Sequence, residues 1–406
     1  MTDSPWLQVI GIGEDGLDGL SPRCRKYVED AEVLVGGERH LAFVPPSGAE
    51  RLTWGAPFSD TLDVIISRKK KRVVVLASGD PMEYGVGVAL AHRFSADEMV
   101  VFPAVGAFSL ACARLGWSRA EVETMTLHGR PLSLLNAHLR PGARLLLLAE
   151  DGKTPASVAA ALREKGYGPS RLTVLARLGG PHEERRDGTA EGWDDSPCYD
   201  LNTIAMECSP EKGALVLPRV PGLPDSAFLN DGQLTKRVVR SATLAALAPL
   251  PGAFLWDVGA GSGAISIEWL RAEPTSQAVA VERDPVRAGR VVANAEALGV
   301  PRLEVITGEA PQALAGLVSP DAVFVGGGVS GDGLLKTCWM ALTPGGRLVA
   351  NAVTEKSKER LVAFARAEGG QLTHIAVSHA EPETGNTPLA WHDKYPVTQL
   401  AVEKAL

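Results

Sequence analysis

Residues 257–263, DVGAGSG, combine a carboxylate, Asp257, with three glycines spaced G-x-G-x-G. Gly259, Gly261 and Gly263 allow a sharp turn out of a strand and a close approach of a ligand to the main chain. The next apolar run, AVAVE, ends in Glu282, where a carboxylate could hold both hydroxyls of a ribose. Three readings of this loop stay open. Glycine turns and strand-end carboxylates occur in α/β folds that bind nothing. A dinucleotide enzyme prefers G-x-G-x-x-G, which leaves a helix N-terminus for the pyrophosphate. An Asp ahead of the loop suits a ligand carrying positive charge, and S-adenosyl-L-methionine fits: an adenosine, a sulfonium and an amino acid, with no phosphate.

Two later stretches would complete such a site. TGEAPQAL (Thr307–Leu314) is placed to flank an adenine through Gly308, Glu309 and Ala310. In VFVGGGVSGDG (Val323–Gly333), the glycines Gly326, Gly327 and Gly328 would let a bulky planar substrate reach the methyl donor. The plainer alternative for the triplet is a flexible turn.

A loop of this kind needs a parallel sheet to carry it, and the hydrophobic pattern supplies one. Short β-branched runs alternate with amphipathic helical stretches throughout, which predicts an α/β fold. Strands are expected at Leu7–Ile12, Glu32–Val35, Arg72–Ala77, Met99–Phe102, Arg144–Leu148, Leu172–Ala176 and Asn202–Met206. A second set is expected at Phe254–Val258, Ala278–Glu282, Leu303–Ile306, Ala322–Val325, Arg347–Ala352, Leu372–Val377 and Val397–Val402. The last two can pair antiparallel. Prolines 210, 218, 221 and 224 oppose a continuous helix between the sets and predict a linker. The expected organisation is a domain over residues 1–208, a proline-rich linker over 209–227 and a second domain over 228–406. The halves show no internal repeat, so fusion is favoured over duplication.

Composition narrows the function classes. The chain has 406 residues, 45% hydrophobic and 22% charged, with a net charge of −7. That balance argues against a nucleic-acid or membrane-surface footprint. The one dense basic run, RKKKR (Arg68–Arg72), reads as a solvated helix end, where cations complement the dipole. Five cysteines without a C-x-x-C pair suggest neither a disulfide framework nor a zinc knuckle. The N-terminus lacks the basic region of a signal peptide and no apolar run is long enough to span a bilayer, so a cytoplasmic location is expected. The eight histidines form no H-E-x-x-H, and no metal site is expected.

The first half carries VIGIGEDGLDGLSP (9–22), VLVGGERHL (33–41), ASGDPMEYGVG (77–87), FPAVGAFSLACARLGW (102–117), LHGRP (127–131) and VLARLGGPHEERRDGT (174–189). In this order they resemble the tetrapyrrole methylase family, class III methyltransferases that modify corrin precursors. The resemblance implies two αβα subdomains with S-adenosylmethionine folded in the cleft between them. Its contacts would include Gly11, Gly13, Ser78, Gly79, Asp80, Met82 and Tyr84. Many relatives have hydroxyl residues where this chain has Gly106 and Ala107, so only backbone contact is expected there. His128 and Arg130 are the substrate candidates of this half.

The second half, from FLNDGQLTKRVVRSATLAAL (Phe228–Leu247) to PVTQLAVE, resembles corrinoid class I methyltransferases that also decarboxylate. That implies a Rossmann-like domain with a mostly parallel seven-stranded sheet. The pair would methylate one tetrapyrrole macrocycle twice, each half with its own S-adenosylmethionine site. The family implies carbon 5 for the first half, and carbon 15 with loss of the ring C acetate carboxyl for the second. It also implies a homo-oligomer.

Methyl transfer to carbon is an in-line displacement, so the protein mainly positions the partners and excludes water. Decarboxylation asks for more: the electrons must flow into the ring, helped by desolvation of the carboxylate. Asn230, Asp231 and Gln233 are the catalytic candidates, with Asp231 able to move a proton. NDGQ as a plain turn before the next helix is the alternative. Thr235 is assigned to the cofactor, and Lys236, Arg237 and Arg240 to the macrocycle's acetates and propionates. Two other functions compete: a methyltransferase for RNA or protein, and a non-catalytic S-adenosylmethionine-binding sensor.

Overall fold

The computed structural model describes residues 5–381 and 390–406. The chain divides into two compact units, Met1–Arg130 with Arg140–Leu215, and Pro131–Leu139 with Val216–Leu406.

The first unit holds two five-stranded sheets. One is wholly parallel, in the order Glu50–Leu52, Val33–Val35, Val73–Ser78, Leu7–Ile12, Met99–Phe102. Its central strands are apolar on both faces, as helices on both sides require: every residue of Leu7–Ile12 is buried. The other runs Glu123–Thr126, Arg144–Leu148, Asn202–Glu207, Arg171–Ala176, Glu184–Thr189, with Asn202–Glu207 antiparallel to both neighbours. Three of these ten strands carry no hydrophobic signal that predicts them. Glu184–Thr189 (ERRDGT) is an exposed edge, made a strand by its pairing with Arg171–Ala176. Glu50–Leu52 and Glu123–Thr126 are also short edge strands, the second with Met125 and Thr126 buried. At the basic run, Arg68 ends the helix Phe58–Ser67; Arg68 and Lys71 pair with Glu50, and Lys69 with Glu98.

The second unit is built on a seven-stranded sheet in the order Glu304–Thr307, Gln277–Glu282, Phe254–Val258, Ala322–Val325, Arg347–Ala352, Val397–Glu403, Gln371–Ile375. The first five strands are parallel, and Val397–Glu403 is antiparallel to both its neighbours. This is the mostly parallel sheet the resemblance implies, closed by the antiparallel pair. The helix Ala264–Ala272 is buried almost all round, with Ile267, Trp269 and Leu270 in the core.

The proline-rich stretch expected to link two domains is in its second part a packed strap on the second unit. Leu223 is 1% exposed and sits in that unit's core with Phe228. The amides of Gly222 and Leu223 donate to the buried Glu268 carboxylate, and Arg240 donates to the Leu223 carbonyl. The prolines exclude a helix, as expected; they do not make the segment free. The short 3-10 segment Leu132–Ala137 from the first half of the sequence also belongs to the second unit, where Asn136 donates to the Glu296 carbonyl at 3.2 Å. Nothing in its composition separates it from the domain that surrounds it in sequence.

Candidate functional site

In the second unit, the strand Phe254–Val258 runs into a loop in which Gly259, Gly261 and Gly263 have φ of 72°, 61° and 74°. All three lie in the left-handed region that favours glycine. Glu282, at the end of the adjacent strand, is 5% exposed and grips this loop: one oxygen accepts from the Gly261 amide at 2.8 Å, the other from Asp284 at 3.0 Å. Asp284 in turn caps the helix Pro285–Ala297. Asp257 is wholly buried and accepts from the Ser266 amide at 3.1 Å, so it caps the following helix. Its other oxygen is buried without a partner. Burial pushes its carboxyl up to about 6 against the lowering effect of the Ser266 bond, and the Glu282 charge adds to the rise. The glycine triplet follows the strand Ala322–Val325. Gly326 donates to the Val258 carbonyl at 2.9 Å, so the two loops meet at the C-terminal ends of the parallel strands. That is where a doubly wound sheet opens its ligand crevice.

Gly308 donates to the Glu282 carbonyl at 2.9 Å, which draws TGEAPQAL to the same sheet end. Glu309 faces Arg283 on the surface, and Ala310 packs at the core margin. The loop before the first helix also arrives here: a Cβ on Gly261 would lie 3.5 Å from the Gln233 carbonyl oxygen.

Three expectations for that loop change. Asp231 accepts from Arg287 and Arg290, both at 2.9 Å, and from the Gln233 amide. The Arg287 bond first, then the Gln233 amide, hold its carboxyl down to about 2, so it stays ionised and is unsuited to carry a proton. Asn230 closes an Asx turn, donating to the Phe228 carbonyl and accepting from Gly232, which is the plain-turn alternative for NDGQ. Arg240 is fully buried rather than facing a macrocycle. It pairs with Glu268 at 2.6 Å and Asp225 at 3.0 Å, stacks on Phe228, and donates to the Thr235 carbonyl. Thr235 is thereby an anchor point of the strap. Lys236 and Arg237 remain exposed.

One positioning residue escapes sequence reasoning. Asn294, 1% exposed on the helix Pro285–Ala297, accepts from the Leu229 amide and donates to the carbonyls of Leu229 and Ser262. It ties the glycine loop to the polar loop. A buried amide in the otherwise apolar face of VVANAEAL is the signal that could have found it.

In the first unit, a cleft of about 590 Å³ is lined by Gly13, Ser78, Gly79, Asp80, Tyr84, Gly106 and Ala107, with His128 and Arg130 on its wall. Gly11 is not at its surface: a Cβ there would lie 2.0 Å from the Gly79 carbonyl oxygen, so Gly11 lets two loops pack. Met82 lines an adjoining hollow of about 630 Å³ that shares Glu83, Tyr84, Gly85 and Arg130 with the cleft. Tyr84 has φ of 56° and donates its hydroxyl to the Thr124 carbonyl; the Arg130 guanidinium stands 5.5 Å from its ring centre. His128 lies 3.5 Å from Glu150, largely exposed. Among the described residues no cluster of His, Cys, Asp and Glu could hold a metal ion, and no helix is long and apolar enough to cross a membrane.

Residues 7–193 match the model of the tetrapyrrole (corrin/porphyrin) methylases, and residues 226–404 that of the precorrin methyltransferase domain. A precorrin-6Y C(5,15)-methyltransferase [decarboxylating] from Sinorhizobium sp is 46% identical over 99% of this chain and 97% of its own. A protein of the same name from Mycobacterium tuberculosis is 42% identical over 98% and 99%. Among solved structures, the C-terminal domain of precorrin-6Y C5,15-methyltransferase from Rhodobacter capsulatus is 41% identical, covers 46% of this chain and 100% of that one, and has a TM-score of 0.43. With both halves matched and the full length shared, the chain belongs to the precorrin-6Y C(5,15)-methyltransferase (decarboxylating) family.

Proposed function

We propose that this protein methylates precorrin-6B at carbons 5 and 15 and removes the ring C acetate carboxyl, giving precorrin-8 in cobalamin biosynthesis. The observation that carries this reading is the glycine loop gripped by Glu282 where the parallel strands end, in a chain whose full-length relatives bear the C(5,15) decarboxylating name. S-adenosyl-L-methionine supplies a methyl group on a sulfonium, one molecule in each unit. In the second unit, Gly259–Gly263 and Glu282 would hold it, with Gly308 flanking. The buried, partnerless Asp257 oxygen fits a cationic ligand beside the loop.

The carbon that attacks must lie in line with the bond that breaks, so positioning is the protein's main contribution. Gly326–Gly328 provide a floor without side chains at the sheet end, where a flat macrocycle can come close. Lys236, whose ammonium lies 4.0 Å from Asp225, and Arg237 are exposed and would meet its carboxylates. Asp231 orders the loop through Arg287 and Arg290, and desolvation of the acetate, with electron flow into the ring, supports loss of carbon dioxide. In the first unit, the cleft at Ser78–Tyr84 and Gly106 would hold the second donor, with His128 and Arg130 toward the macrocycle. The resemblance supports carbon 5 for this unit and carbon 15 with decarboxylation for the other, and a homo-oligomeric assembly.

Incubation with labelled S-adenosylmethionine and a precorrin-6B extract tests the reading by mass. Two methyl gains with one lost carbon dioxide are expected. Binding of the donor with no transfer would make the protein a sensor instead.

A further inference from the structure

The first unit's cleft contains a charged group that the reading above does not use. Glu14, whose side chain is only 7% exposed, receives two guanidiniums: Arg39 on one oxygen and Arg177, at 3.2 Å, on the other. Arg177 has φ of 50° and lies 5.2 Å from the ring centre of Tyr199. Two cations share one carboxylate, so the group keeps an uncompensated positive charge. Arg39 also donates to the Ser78 hydroxyl at 2.9 Å, and the same nitrogen lies 3.0 Å from His40 Nε2. Glu14, Arg39, His40 and Ser78 all line the cleft.

His40 Nε2 also lies 2.9 Å from the Ser78 hydroxyl, so it accepts from Arg39 in one tautomer and donates to Ser78 in the other. Its Nδ1 is buried with no protein partner. Burial first, then the Arg39 charge, lower the imidazole to about 4, so the ring is neutral at physiological pH. Arg39 itself is lowered by burial and by Arg177. Clustered cations beside a neutral imidazole are disfavoured alone and relieved by an anion.

We propose that Arg39, oriented by Glu14 and Ser78 and flanked by His40, forms a carboxylate-reading site in the first unit's cleft. The inference rests on the assignment of methyl transfer to this unit. Two ligands of the reaction carry a carboxylate on a flexible arm: the macrocycle, through its acetates and propionates, and the amino-acid end of the methyl donor. Nη2 of Arg39 meets Ser78 and His40 and Nη1 meets Glu14, which leaves the Nε–H and the second Nη1–H for single charge-assisted contacts to either carboxylate. Glu14 acts through Arg39 and is a positioning residue.

The test uses the full chain with Arg39→Gln and Arg39→Lys, following carbon-5 methylation by mass. Arg39→Gln is expected to raise one KM about tenfold to a hundredfold, the worth of a charge-assisted contact, with kcat little changed. A rise in the KM for the tetrapyrrole identifies the macrocycle as the source, and a rise in that for S-adenosylmethionine identifies the donor. Arg39→Lys, which keeps the charge against Glu14 and loses the directed guanidinium N–H groups, should recover part of the affinity. Carbon-5 turnover retained at saturating ligand shows that the first unit of the variant is folded; if Arg39→Gln gives no carbon-5 turnover at all, Arg39→Lys alone decides. Unchanged KM values for both ligands overturn the site. If the unaltered protein shows no carbon-5 methylation, the assignment of this unit fails separately. Direct titration with the tetrapyrrole and with the donor then decides the site, equal affinities in variant and parent overturning it.

Discussion

The backbones of Gly259 and Gly327 touch: a Cβ on Gly259 would lie 2.8 Å from both the Cα and the amide nitrogen of Gly327. The cofactor loop and the triplet loop, far apart in sequence, are therefore one surface. Gly259 also has φ of 72°, whereas Gly327 is outside the left-handed region and a Cβ there meets nothing nearer than 3.6 Å. The two glycines should respond differently. Gly259→Ala is expected to abolish donor binding in the second unit, and Gly327→Ala to leave it near normal while slowing carbon-15 methylation. Separate donor titration and single-turnover rates check this; equal loss of binding in both would detach the triplet from the substrate face.

Glu282→Ala removes the acceptor that holds the Gly261 amide and the proposed ribose contact together. Charge-assisted bonds of this kind are worth about 1.5–3 kcal/mol. The KM for S-adenosylmethionine in carbon-15 methylation should rise at least about tenfold, while carbon-5 methylation keeps its own KM.

Asp231 provides the sharpest test of the decarboxylation chemistry. Were it the proton carrier, Asp231→Asn would stop carbon dioxide loss and spare methylation. Its two arginine partners predict the opposite. Both steps should slow together as the loop loosens, so carbon dioxide released per methyl added at carbon 15 stays constant. Product masses over a time course decide.

The strap gives a stability prediction. Arg240 and Glu268 are a buried ion pair, each satisfied further by the segment from Gly222 to Asp225. Arg240→Met leaves the Glu268 charge buried without its guanidinium, a change that costs about 3–5 kcal/mol. Denaturant unfolding should show it. A fragment starting at Phe228 should likewise be less stable than one starting at Val216, because only the longer one keeps Leu223 and Asp225.

Asp257 makes the second unit's stability depend on pH. Its carboxyl titrates near 6 when folded and near 3.8 when free. The folded state keeps the proton as pH rises, so this contribution is full below 3.8 and is lost as pH climbs through 6. Asp257→Asn should flatten the fall in unfolding midpoint across that window, by about 3 kcal/mol at most.

The sequence by itself determined the elements whose signals are local. Runs such as LQVIGI and FLWDV are buried parallel strands because apolar residues, interrupted only by Gln8 and Asp257, fall on both faces, and Asp284-Pro285 starts a helix because capping needs only adjacent residues. The glycine loop and Glu282 were legible for the same reason: turn conformation and the strand end are short-range properties. The tertiary structure alone decided what charged side chains face. Asp231, Arg240 and Arg237 are equally polar in sequence, yet one is clamped by two arginines, one is wholly buried and one is exposed. Partners lie dozens of residues away, as Glu268 does from Arg240 and Arg287 from Asp231, and no local pattern encodes them. Edge strands such as ERRDGT exist only because a neighbour offers its hydrogen bonds. The strap at Leu223 holds because a carboxylate and a guanidinium buried elsewhere in the chain need its backbone to be satisfied.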